Sequence, residues 1–231
     1  MTDYTLYYWP IAFRGQFVRA VLAHAGATWT EGGADEIMAQ RAAAPADQLV
    51  PHMGPPVLVD HTAGLSLAQT PAILGYLGAK HGLIPNDAAR AAETATLIQH
   101  AMDVLYEMTL FHGWQMWTPA LWAERRPRLL RWMAIFEEHG RRHGLTSETG
   151  HILGTDAPGL ADLATHILWG VMTEKLPPLR PLLDQTAPAV AALSDRIAAL
   201  PAQAELRRRS AEDWGDAWCG GQIEASLRAV L

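Results

Sequence analysis

The sequence holds a single cysteine, Cys219. Disulfide scaffolds, cysteine-built zinc sites and CxxC redox chemistry are thereby excluded within one chain, and Cys219 itself, in a Gly-flanked stretch, reads as a bystander. Surplus positive charge is missing too. With 18 Lys and Arg against 24 Asp and Glu, the net charge of −6 offers no footprint for nucleic acid. The two basic runs, residues 124–131 and 207–209, fall within helical patterning and read as solvated faces. No stretch of about 18 apolar residues occurs, so no membrane-spanning helix is expected. The opening MTDYTLYYW has no basic segment leading into an apolar core; it reads as a strand rather than a signal peptide, and a cytoplasmic location is expected. G-x-S-x-G, P-loop and G-x-G-x-x-G motifs are absent. His139 and His143 share a helix face at i, i+4 without a third ligand or an acidic partner motif, so no metal site is expected.

What the chain does have is material for a core: 231 residues, 49% of them hydrophobic, and 9 Trp. Residues 4–9 read as a strand, 15–26 as a helix stopped by Gly26, and 28–31 as a short strand. Residues 34–50 are Ala-rich and fit neither pattern. Residues 57–59 and 65–67 form a hairpin across a turn at 61–64, and a helix opens at Thr70-Pro71, with Thr as N-cap and Pro at the first helical position, running to Lys80. This βαβ–ββα order requires a mixed sheet with helices packed on it. Residues 81–88 carry Gly, Pro, Asn and Asp and mark a boundary between residues 1–80 and residues 88–231. Beyond it, residues 89–117, 120–142, 159–175 and 187–209 show helical patterning, with a kink or late start expected at Pro127.

Particular residues narrow the choice. Tyr8-Trp9-Pro10 followed by Arg19, then Pro56-Val57-Leu58, then Leu67-Ala68-Gln69-Thr70-Pro71-Ala72-Ile73 with Tyr76-Leu77, and then Leu160-Ala161-Asp162-Leu163 come in order along the chain. Together they resemble the Tyr-type cytosolic glutathione transferases, and the Tyr-Tyr-Trp-Pro opening with the Pro-Pro pair is similar to a bacterial branch of that superfamily. The resemblance implies a thioredoxin-like domain followed by an all-helical one. It implies glutathione as co-substrate, no metal, a homodimer, and detoxification by transfer of the glutathione thiolate to a small, apolar electrophile.

A free thiol titrates near ~8.5, so glutathione must be activated at neutral pH. The resemblance makes Tyr8 the donor to its sulfur, the spacing to Arg19 selecting Tyr8 over Tyr7; the alternative is an ordinary strand aromatic. Arg19 is then a structural residue in an ion pair near the domain interface. Ile11 and Phe13 lie in the loop beside the sulfur. Gln69 and Thr70 precede a helix whose free N–H groups and dipole suit the γ-glutamyl carboxylate.

Pro56 is the expected cis-proline, and the backbone of Pro55 pairs with the cysteinyl part of glutathione. Here the chain departs from the family pattern, because Pro55 has no N–H and offers only its carbonyl. Asp103 would meet the glutathione amine from the partner subunit, or be a solvated helix residue, and Arg41 could reach the glycine carboxylate. Tyr106, Leu110, Phe111, Trp114 and Trp117 are the candidate walls of the electrophile pocket, with about two of the five expected to line it and the others to be core. Asp162 caps or braces the buried helix. The same fold without thiol chemistry, a binding or regulatory protein, is the alternative. A Cys-type transferase is disfavoured, since no Cys lies near residues 8–20.

Overall fold

The computed structural model describes residues 2–231. A four-stranded sheet, its strands in the spatial order Trp29–Glu31, Tyr4–Tyr7, Val57–Asp60 and Leu65–Ala68, forms the front of the molecule. β1 (Tyr4–Tyr7) and β2 (Trp29–Glu31) are parallel and joined by α1 (Arg14–His24). β3 (Val57–Asp60) runs antiparallel to β1, with Leu6 opposite Leu58, and β4 (Leu65–Ala68) completes a hairpin. Leu6, Leu58, Val18, Leu22, Ile73 and Leu77 are buried between the sheet and the helices α1 and α3 (Thr70–Lys80). The Ala-rich stretch that fitted neither pattern contains α2 (Ala34–Ala42) and a 3₁₀ turn, Pro45–Asp47.

β1 is shorter than the aromatic run suggested. The Ile11 N–H donates to the Trp9 carbonyl at 2.8 Å, so the chain turns just after Tyr8 and leaves the sheet. The start of α3 is also shifted by one residue. Gln69 is the N-cap, Thr70 the first helical residue and Pro71 the second, so Thr70 is not the cap.

The rest of the described chain is helical. α4 (Ala88–Met108) begins at Asp87, whose carboxylate accepts the Ala89 and Arg90 N–H groups. Its expected continuation to residue 117 fails at Thr109. Leu110, Phe111, His112 and Gly113 all take positive φ, making α5 (Leu110–Gly113) a left-handed turn that redirects the chain. Each non-glycine residue there costs roughly 1–2 kcal/mol.

α6 (Pro119–Arg142) is capped by Thr118 and passes through Pro127, so no late start occurs there. α7 (Leu160–Thr165), a π turn (His166–Val171) and α8 (Met172–Lys175) form one continuous helical run. α9 (Arg180–Thr186) and α12 (Gly221–Arg228) were not anticipated. The expected helix over 187–209 is two, α10 (Pro188–Ala198) and α11 (Pro201–Trp214). Leu200, which precedes a proline, is extended at ψ 136° and cannot continue the helix.

Candidate active site

A cleft of about 750 Å³ opens between the sheet end and α4. Tyr8, Ile11, Phe13, Arg41, Pro55, Pro56, Gln69, Thr70, Asp103 and Tyr106 all line it. Residues spread over much of the sequence thus meet at one opening.

Tyr8 is the best-defined group. Its hydroxyl accepts the Arg14 backbone N–H at 2.9 Å, at the start of α1, where no side chain of the N-cap residue does so. A phenol has one proton to give, and no acceptor for it is found among the described residues. Burial pushes the Tyr8 pKa well above the usual tyrosine range, partly offset by the Arg14 N–H and the Arg14 and Arg19 charges, so the group stays a donor. Gly15 makes this position possible. A Cβ there would lie 2.3 Å from the Tyr8 ring.

The loop after Tyr8 is held from below and above. Arg19 is buried; it donates to the carbonyls of Ile11 (3.0 Å) and Trp9 (3.2 Å) and makes two bonds of 2.8 Å to Glu31. Its guanidinium also lies 3.9 Å from the Trp214 ring centre, in α11. From the other side, Phe13 meets Trp218 edge-on at 5.1 Å and the Ala12 N–H donates to the Ala217 carbonyl. The 218–220 segment is fixed by the buried Glu224, whose carboxylate accepts the N–H groups of Trp218, Cys219 and Gly220 at 2.9, 2.8 and 2.6 Å.

Across the cleft, the Pro55–Pro56 peptide is cis. Gln69 has φ +72°, an uncommon value for a side-chain-bearing residue, at the N-terminus of α3. The Thr70 hydroxyl beside it is buried and has no hydrogen-bond partner among the described residues. An orphaned hydroxyl of this kind costs about 1–3 kcal/mol unless something satisfies it. A ligand carboxylate seated at the helix end would do so.

The matching family model, "Glutathione S-transferase, C-terminal domain", covers residues 93–230, more than half of the chain. The chain belongs to the glutathione S-transferase family. Among solved structures it is similar to NaGST-2, at 20% identity and a TM-score of 0.70 over 90% of this chain and 97% of that one. It is also similar to an orthorhombic form of NaGST1, at 19% identity and a TM-score of 0.71, with the same coverage. These likenesses carry the fold: a thioredoxin-like sheet domain followed by helices. A search of curated proteins finds no significant match.

In this member of the family, four expected pocket residues are not in the cleft. Leu110, Phe111 and Trp117 line a separate cavity, and Trp114 is 87% exposed. The cause is the left-handed turn α5, which brings His112 to the cleft against the Tyr106 ring (4.7 Å between centres) and leaves Leu110 and Phe111 in the separate cavity.

Other residues of the cleft were missed. Arg14 lines it, bonds only to Met102 Sδ (3.4 Å) through its side chain, and has no carboxylate partner among the described residues. It is the sole ionisable residue between Tyr8 and Arg19, a signal that was present in the sequence. Gln99 and Met102 share the α4 face of Asp103 and Tyr106, so helical spacing could have found them. Cys219 also lines the cleft, and no sequence signal placed it there. Burial and the neighbouring Glu224 push its thiol up to about 12, which keeps it protonated. Asp162 stands outside the cleft, accepting the N–H groups of Ile152 and Gly159 at 2.8 and 2.9 Å.

Proposed function

We propose that the protein is a cytoplasmic glutathione transferase that joins the glutathione thiolate to a small electrophile, serving detoxification. The observation that carries this reading is the Tyr8 hydroxyl. It accepts from the Arg14 amide and keeps its own proton free at the cleft, the arrangement needed to stabilise a sulfur anion. The unpaired Arg14 charge and the positive end of α1 act in the same direction.

In this reading the γ-glutamyl carboxylate takes the Thr70 hydroxyl and the N-terminus of α3. The Pro55 carbonyl pairs with the cysteinyl N–H in strand-like fashion. Arg41, exposed at the cleft edge 5.9 Å from the Trp9 ring centre, receives the glycine carboxylate. Trp9, Ile11, Phe13 and Tyr106 offer the electrophile an apolar wall, narrower than the sequence suggested. In the homodimer that this reading proposes, Asp103 meets the glutathione amine of the partner subunit, and Met53, 92% exposed beside the cleft, suits burial against a partner.

One observation favours a second reading, a binding protein without thiol chemistry. Pro55 cannot donate, and the lost hydrogen bond costs about 0.5–1.5 kcal/mol. The discriminating experiment is calorimetric titration with glutathione, combined with a conjugation assay using an activated aryl halide. Micromolar-to-millimolar binding with turnover above the uncatalysed rate is expected. Binding without turnover would favour the second reading, and no binding at all would reject both.

A further inference from the structure

Three successive residues with side chains, Leu110, Phe111 and His112, hold φ values of +44°, +59° and +64°. Backbone strain of this kind persists where the surroundings enforce it, and it concentrates at ligand sites. Of the three, His112 alone lines the cleft. Its ring stands edge-on to Tyr106, with 61° between the planes, so α4 braces the imidazole on one side. The ring is exposed at the opening and makes no hydrogen bond among the described residues.

Arg14 is near enough for its charge to act on this ring. Partial burial first, and the Arg14 charge second, hold the His112 pKa below the ordinary histidine value. At neutral pH His112 is therefore a neutral imidazole with one N–H to donate. The half-buried Arg14 side chain reaches only the Met102 sulfur, a weak acceptor, among the described residues. Asp103, the carboxylate on the same wall, sits about one turn before Tyr106 and is given to the partner's glutathione amine in the reading above. The end of the cleft between Arg14 and His112 thus offers donors and positive charge with no acceptor of its own to absorb them.

Such a wall suits a co-substrate in which an oxygen gains negative charge as the carbon–sulfur bond forms. We propose that His112 is a catalytic residue for conjugate addition to a small enone or enal, its N–H and the Arg14 guanidinium holding the carbonyl oxygen. The inference rests on the transferase reading. The thiolate bonds to the β-carbon, the π electrons of the carbon–carbon double bond shift toward oxygen, and an enolate forms between the two donors. The enolate takes a proton from water at its α-carbon, matching the proton that glutathione lost to water on ionising, so the net change is addition without oxidation or reduction. Tyr8 cannot serve this oxygen, because its one proton is engaged by sulfur. A neutral imidazole beside a fixed cation is suited to polarising a carbonyl, since it donates without having to give up a proton.

The test compares two electrophiles, trans-4-phenyl-3-buten-2-one and benzyl chloride, in the parent, His112→Gly and His112→Asn. Glycine and asparagine both accept a positive φ, and asparagine brings an N–H donor back. Thermal melts establish that each variant is folded. His112→Gly is expected to lower kcat/KM for the enone about tenfold, the loss of one hydrogen bond to a developing oxyanion. For benzyl chloride, whose charge departs with chloride, the change should stay within about twofold. His112→Asn is expected to recover part of the enone rate. Equal losses with both electrophiles would make His112 a structural residue and overturn the proposal while leaving the transferase reading intact. Turnover of benzyl chloride without turnover of the enone by the parent would do the same. A parent protein that turns over neither would reject the transferase reading and this inference together.

Discussion

In the proposed reaction Tyr8 works through a single proton, so its contribution should be readable as a pH effect. Tyr8→Phe keeps the ring that packs over Gly15 and removes only the hydroxyl. A two-unit depression of the thiol pKa is worth ~2.7 kcal/mol, so turnover at neutral pH should fall up to roughly a hundredfold. The deficit should close as pH rises past ~8.5, where water ionises glutathione unaided. Glutathione affinity should change far less, because the groups at Thr70 and Pro55 are untouched. Matched pH–rate profiles for the two proteins check this, and superimposable profiles would make Tyr8 a packing residue. At this scale much of the cleft was legible, since Tyr8, Gln69, Thr70 and Asp103 sit in local patterns with their own chemistry. Cys219 was not. Its place depends on Glu224 gathering three backbone N–H groups, and nothing near Cys219 in sequence announces that.

Among the elements, α5 is where local pattern and outcome part. Apolar spacing continues past Met108, so periodicity extends the helix, yet four successive residues turn left-handed. A hydrophobic pattern reports which side chains want burial, not the sign of φ. Gly113 is the one residue in that run for which the conformation is inexpensive. His112→Gly, at φ +64°, should therefore relieve about 1 kcal/mol and raise the melting temperature by roughly 2–4 °C. Scanning calorimetry would show it, and a lower melting temperature would mean that contacts of the imidazole outweigh its backbone cost. The split between α10 and α11 was more accessible, because Pro201 restrains Leu200, and a stricter use of that signal divides the run correctly.

The molecule as a whole should respond to acid through His166. This residue is buried in the π turn with Nδ1 unpaired among the described residues, and burial pushes its pKa down to about 4, against opposing effects from Asp195 and Ser194. The unfolded chain binds this proton near 6.5, so between about 6.5 and 4 the unfolded state holds more protons and stability falls as pH falls. The full loss amounts to about 3 kcal/mol, complete once pH is below the folded value. Urea unfolding of the parent and His166→Gln across that range measures it; an equally steep decline in both would assign the acid sensitivity elsewhere. Assembly is the other whole-molecule expectation. Sedimentation should give a dimer at micromolar concentration, and a monomer would remove the cross-subunit role proposed for Asp103.

Arg19 has a consequence for how the chain can be rearranged. Its guanidinium is shared by the active-site loop, by Glu31 of β2 and by Trp214 of α11, so the floor under Tyr8 is built partly from the far end of the sequence. Gln16 and Gln203 add further ties, to Ser210 and to the Ala20 carbonyl, between α1 and α11. The sheet half is thus not a cassette. A chimera that joins residues 1–80 to the helical half of a distant relative would keep every glutathione-side residue of that half. It would still set Tyr8 on a foundation for which its sequence holds only half the parts.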